Sequence, residues 1–163
     1  MTLGLSLNSR LLGMAVLQGE ALVDYHVKQF REHWNPDKLK RLLDYIAFYI
    51  AEFQVTNVAL LLPLEHYTNS ETKTLLLNIP ALCKAHNVAL STYTAKNFSV
   101  FIGQGRAKKR ALMQALSLLY PELSLAQRRE LSNKKQYYSK LFEAVGVATL
   151  HKRKLQATAR QEE

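Results

Sequence analysis

The chain opens on apolar segments separated by short polar turns. Residues 3–8, 10–18 and 20–28 read as three consecutive strands in a meander, turning at Asn8-Ser9-Arg10 and at Gln18-Gly19-Glu20, the second a hairpin signal. Asn35-Pro36-Asp37 then breaks the chain and starts a helix, with proline at an early position where its missing N–H is tolerated. Leu39, Leu42, Leu43, Ile46, Ile50 and Phe53 recur at three- and four-residue intervals, so one face of a helix over 37–54 packs against a sheet. Residues 55–63 contain the unbroken run Val58-Ala59-Leu60-Leu61-Leu62, the pattern of a strand covered on both faces, as in a parallel sheet. Residues 70–86 predict a second helix, which Pro80 is expected to kink or restart. Residues 88–93 are a fifth strand. Beyond Ala95 the chain reads as helical through Phe98 and Phe101, turns at Gly103-Gln104-Gly105, and resumes as a helix over 106–119 that Tyr120-Pro121-Glu122 ends. A polar stretch over 124–135 leads to a last helix from about Gln136, with Leu141, Ala144, Val145 and Ala148 on one face. The tail, 156–163, is polar and expected to fray.

A chain of 163 residues is most simply one domain, here 1–155, and buries about 70% of its unfolded surface. A hydrophobic fraction of 48% excludes a disordered chain. No segment approaches the roughly 20 apolar residues of a membrane span, and residues 1–20 carry neither a basic leader nor a cleavage site, so a soluble, cytoplasmic protein is expected. The lone Cys83 is expected as a small buried hydrophobe on a helix. Charge changes the picture more. There are 22 Lys+Arg against 13 Asp+Glu, a net +9, with the excess in the second half. Arg106-Ala107-Lys108-Lys109-Arg110, Arg128-Arg129, Lys134-Lys135 and His151-Lys152-Arg153-Lys154 form runs that attract polyanions, so nucleic acid is the expected partner, DNA before RNA.

Three antiparallel strands followed by helix, strand, helix, strand and terminal helices is the order of a ribonuclease-H-like α/β fold, a mixed five-stranded sheet flanked by helices. A Rossmann unit would need a helix directly after the first strand, and a second strand follows instead. Three blocks sharpen this. Gly4-Leu5-Ser6-Leu7-Asn8-Ser9-Arg10-Leu11-Leu12-Gly13 has the spacing of the motif Gly-Ile-Asp-Pro-Gly-Ser-Arg-x-x-Gly. Gly103-Gln104-Gly105-Arg106-Ala107-Lys108-Lys109 is similar to a Gly-x-Gly-x-Ala-x-Lys turn before a helix, and Glu143-Ala144-Val145-Gly146-Val147-Ala148 to an Asp-Ala-x-Ala-x-Ala helix core. On these blocks, in this order, the chain resembles the RuvC family of Holliday-junction resolvases along nearly its whole length.

That resemblance implies four carboxylates holding two divalent cations that activate water for phosphodiester hydrolysis. Here Ser6 takes the first position, Leu61 or Leu62 the second, Lys140 the third, and only Glu143 keeps an acid. A hydroxyl or an aliphatic side chain cannot replace a bridging carboxylate for Mg²⁺. The expectation is therefore a degenerate site with no catalytic residues and no metal, on a protein that binds structured or branched nucleic acid without cutting it. The resemblance also makes a homodimer an expectation. Arg10, Arg106, Lys108, Lys109 and Arg110 are the expected nucleic-acid contacts, since helix-start amides with adjacent cations make a phosphate seat.

Two alternatives stand beside this reading. One is a nuclease using Mg²⁺ on relocated acids, for which Glu20, Asp24 and Glu65 are the candidates, although each reads first as a solvated surface charge. The other is a protein-interaction module whose charge is incidental. Glu143 also reads as a partner of Lys140 at i, i+3 spacing. His26, His33, His66, His86 and His151 show no ligand spacing. Tyr93, Phe98 and Phe101 read as core residues first and as stacking platforms for unpaired bases second.

Overall fold

The first reversal of the chain is built by one side chain. The Asn8 carboxamide oxygen accepts hydrogen bonds from the backbone N–H groups of Arg10 and Leu11, each 2.8 Å long, which turns strand β1 (Thr2–Leu7) back into β2 (Leu11–Gln18). Gly19, at φ +56°, makes the next turn, where a left-handed residue matches the twist of the hairpin to β3 (Ala21–Gln29). In this computed structural model, which describes residues 1–103, 108–133 and 137–161, these strands join β4 (Asn57–Leu61) and β5 (Ala89–Tyr93) in one sheet ordered β3-β2-β1-β4-β5. The meander is antiparallel, and β4 and β5 run parallel to β1. The five strands fall where the apolar pattern puts them, within one or two residues at their ends.

Helices cover both faces of the sheet. On one lie α1 (Pro36–Glu52) and α2 (Ser70–Ala85), over a core that includes Leu3, Leu5, Leu7, Met14, Val58 and Leu60. Asn35 caps α1 by accepting from the Lys38 N–H, and Asn69 caps α2 by accepting from the Thr72 N–H, both at 2.8 Å. Lys38 itself is buried, its ammonium donating to the Glu32 carbonyl at 2.8 Å. The helix does not restart at Pro80: α2 runs through it as one element, and Leu75, Ile79 and Cys83 bury one continuous face on either side of the proline.

The opposite face carries α3 (Ser99–Ile102), α4 (Lys108–Leu119), α5 (Ser124–Ser132) and α6 (Ser139–Gln161). Strand alternation turns Gly4 and Ser6 of β1 toward α6, while the leucines between them face α1 and α2. Two expectations are corrected here. The stretch from 124, read as merely polar, is helical through Ser132. It buries Ala126 and Glu130, and the Glu130 carboxylate accepts from the N–H groups of Tyr137 (3.1 Å) and Tyr138 (2.7 Å) on the approach to α6. The tail does not fray at 156 but stays helical to Gln161. Its residues are good helix formers continuing a buried helix, and Gln156 donates to Glu20 at 3.0 Å.

Candidate nucleic-acid interface

Because β1 and β4 are parallel, their C-terminal ends open on the same edge of the sheet, and α6 crosses above them. Ser6, the last residue of β1 that faces α6, is 1% exposed, and its hydroxyl donates to the Glu143 carboxylate on α6. Lys140, one helical turn earlier, places its ammonium 2.9 Å from the same carboxylate oxygen. The two side chains are only 18% and 16% exposed, so this ion pair is partly desolvated rather than a surface contact. Leu61 and Leu62, at the end of β4, line the same cleft, as does Lys109 from the first turn of α4. The four positions singled out by the motif spacing, Ser6, Leu61, Lys140 and Glu143, are thus brought together, and the i, i+3 pairing of Lys140 with Glu143 is observed.

The donor set does not fit a two-cation site. A pair of hard divalent ions needs several carboxylate oxygens. Here one carboxylate faces the cleft, already neutralised by an ammonium and hydrogen-bonded to a hydroxyl. The candidate replacement acids lie elsewhere. Asp24 faces the α1 side of the sheet, accepting from the Tyr49 hydroxyl at 2.7 Å. Glu20 is paired with Lys152, which with Gln156 holds its carboxyl below the usual range. Glu65 sits exposed in the single 3₁₀ turn after β4. Among the described residues, no three His, Cys, Asp or Glu side chains converge on a point.

Of the expected phosphate contacts, Arg10 is exposed in the β1–β2 turn, on the same sheet edge as the cleft, and Arg110 is exposed on α4 beside Lys109. Arg106, the Gly105 turn, Lys134 and Lys135 lie outside the described residues, as does the Lys108 side chain. Tyr93 is turned inward, its hydroxyl 2.9 Å from His151 Nδ1. Phe101 lies beneath the Arg153 guanidinium, 4.7 Å from its centre. Phe98 is buried against Gly146 of α6.

Sequence reasoning missed a polar network on the other face. Tyr49 donates to Asp24 and sits 2.8 Å from His26 Nδ1, while His26 Nε2 lies 2.9 Å from the Tyr45 hydroxyl. Strand alternation places Asp24 and His26 on one side of β3, and Tyr45 and Tyr49 are four apart on α1, so the signal was present as two separate periodicities. Burial holds His26 below the ordinary histidine value of 6.5, against the opposing pull of Asp24. Burial first, then Lys154, lowers His151 likewise, and His151 Nε2 is buried without a partner among the described residues. Both rings are held neutral by the fold, so as pH falls below 6.5 the unfolded chain takes up protons first. The melting temperature is therefore expected to drop between about pH 7 and pH 5. Replacing both rings, His26→Phe with His151→Leu, should flatten that segment of a pH series of thermal melts.

The sheet order and the helix placement define a ribonuclease-H-like fold of the RuvC-like resolvase type. Among solved structures, Thermus thermophilus RuvC matches with a TM-score of 0.72 at 15% identity, covering 96% of each chain. The same protein in complex with a Holliday junction substrate gives 0.67 at 14% identity, covering 96% of this chain and 95% of that one. Fowlpox virus resolvase, in complex with substrate Holliday junction DNA, gives 0.64 at 10% identity over 94% and 97%. No family model matches the sequence, and no curated protein matches it. No described helix is long and apolar enough to cross a membrane.

Proposed function

We propose that this protein binds branched or otherwise structured nucleic acid, DNA in preference to RNA, and does not cut it. The observation that carries the reading is the Ser6–Glu143–Lys140 cluster. At the cleft where the fold's nucleases gather acids, this chain has one carboxylate, and its own ammonium already balances it. Binding rests on the net +9 charge, on the cations of the cleft edge, and on two of the three solved neighbours being complexes with Holliday junction DNA. A cytoplasmic homodimer belongs to the same reading, since a two-fold assembly suits a junction of paired arms.

The experiment is a titration of a fluorescent four-way junction at several salt concentrations, with and without Mg²⁺. Mg²⁺ is expected not to strengthen binding, since it only competes for the phosphates, and the junction is expected to stay intact. Log affinity should fall with log salt by about 0.9 for each phosphate neutralised. Reversing Arg10, Lys109 and Arg110 to Glu should lower both affinity and slope; unchanged binding would remove these residues from the interface. Ser6→Asp with Leu61→Glu should restore no cleavage, because Lys140 remains in the cleft. Metal-dependent cutting by the unmodified protein that disappears on Glu143→Ala would overturn the non-cleaving reading.

A further inference from the structure

The ion pairs of this protein differ in how far water reaches them. Lys40–Asp44 and Arg41–Glu32 are open on both sides, and Lys152–Glu20 leaves its carboxylate 79% exposed. Lys140–Glu143 is the most enclosed pair among the described residues, and both of its side chains line the cleft. The Glu143 carboxylate is also gripped from a second side. The Ser6 hydroxyl donates to the same oxygen that the Lys140 ammonium contacts. Ser6 is buried on β1 while Lys140 and Glu143 sit on α6, so the acid is fixed between two elements. The ammonium still has donors to offer, but its charge is balanced at 2.9 Å by an acceptor of the same class as a phosphate oxygen. That acceptor belongs to the same helix, one turn away, so it competes at the high effective concentration of an intramolecular partner.

From this we infer that Glu143 is an autoinhibitory counterion, which withholds Lys140 from the phosphates of a bound nucleic acid. The inference rests on the nucleic-acid reading above and adds to it a brake on affinity inside the cleft. A phosphate that approaches Lys140 meets the carboxylate beside it, and like charges repel strongly where water is partly excluded. The backbone therefore gains from Lys140 only what Glu143 does not cancel. Neutralising Glu143 without changing its shape releases the ammonium. The Ser6 hydroxyl can donate to an amide oxygen in the same place, so Glu143→Gln keeps the contact between β1 and α6.

The test measures binding of a fluorescent four-way junction by anisotropy over a salt series, with the full-length protein and its variants. Glu143→Gln is expected to bind about 3- to 10-fold more tightly at about 0.1 M salt, with a log–log slope steeper by about 0.9, the increment of one more neutralised phosphate. Glu143→Ala frees the same ammonium and carries the same expectation, and circular dichroism reports that each variant is folded. Glu65→Gln removes an equal charge from an exposed acid that joins no ion pair among the described residues. Its slope is expected to match that of the unmodified protein. Combining Glu143→Gln with Lys140→Met should erase the gain, because the released ammonium is gone. An unchanged slope in the Glu143 variants overturns the inference, and so does weaker binding by them. A gain that Glu65→Gln reproduces, or that survives the loss of Lys140, overturns it as well. Failure of the unmodified protein and every variant to bind the junction overturns the nucleic-acid reading instead.

Discussion

Gly13→Ala is expected to unseat the last helix and cost about 4 kcal/mol or more, a loss reserved for the severest single substitutions. A β-carbon on Gly13 would lie 2.0 Å from the Lys140 carbonyl oxygen, 2.3 Å from its carbon and 2.9 Å from the Leu141 nitrogen. All three are backbone atoms of α6, so no rotamer change relieves the clash and the helix itself must lift. Gly4 repeats the arrangement one strand over, 2.0 Å from the Ala144 carbonyl oxygen and 2.9 Å from the Ala148 β-carbon. Lifting α6 disturbs the buried residues Leu141, Phe142, Ala144, Val145 and Ala148 together, and natural domains have only about 5–15 kcal/mol of net stability. Gly19→Ala is the contrast. It asks for an unfavourable positive φ, but nothing stands within 4 Å of the new methyl, so about 1 kcal/mol is expected. Urea unfolding separates the two. A Gly13→Ala protein as stable as Gly19→Ala would mean that α6 does not sit directly on the sheet. The clashing carbonyl belongs to Lys140, so the same substitution also displaces the ion pair, and junction affinity should fall with stability.

The second large effect is expected from Lys140→Met. It leaves the Glu143 carboxylate, only 16% exposed, with the Ser6 hydroxyl as its one remaining partner in the cluster. Breaking a fully buried ion pair from one side costs about 3–5 kcal/mol. This pair keeps some contact with water, so about 2 kcal/mol is the expected loss. Adding Glu143→Met to Lys140→Met should return most of that stability, since apolar residues of similar size often replace a buried pair at no net cost. A double-mutant cycle by chemical denaturation gives the coupling. Strictly additive losses would show that the two charges are solvated independently and that the cleft is not held by the pair. The cycle also separates two jobs of Lys140. Junction affinity should fall with Lys140→Met alone, which makes the cleft more negative by one charge, and recover in the double variant, which removes one charge of each sign.

Much of the architecture follows from local pattern. Strand boundaries are marked by Asn8 and Gly19, helix starts by Asn35 with Pro36, and the covered β4 strand by five consecutive apolar residues. Each is a short-range physical preference that survives into the folded chain. The glycine–serine–glycine spacing of Gly4, Ser6 and Gly13 was legible as a motif, as was the absence of acids at Leu61 and Lys140. Short-range pattern failed where a distant partner decided the outcome. The polar residues from 124 to 132 become a helix because Glu130 satisfies N–H groups that belong to the next element, a contact no local window contains. Pro80 stays inside a single helix, both halves of which bury residues in the core under the sheet.

What the amino-acid sequence by itself determined is the order and type of the elements other than the helix over 124–132, the basic balance of the chain and the identity of the residues at the four motif positions, since each depends on composition and spacing alone. Only the tertiary structure decided that Ser6, Lys140 and Glu143 form one hydrogen-bonded cluster and that Asp24 faces away from it. The reason is geometric. A strand's alternation says which residues share a face but not which face the covering helix takes. Here that is decided by the two glycines, whose missing side chains let the α6 backbone approach β1 and β2 and bring Lys140 and Glu143 over Ser6.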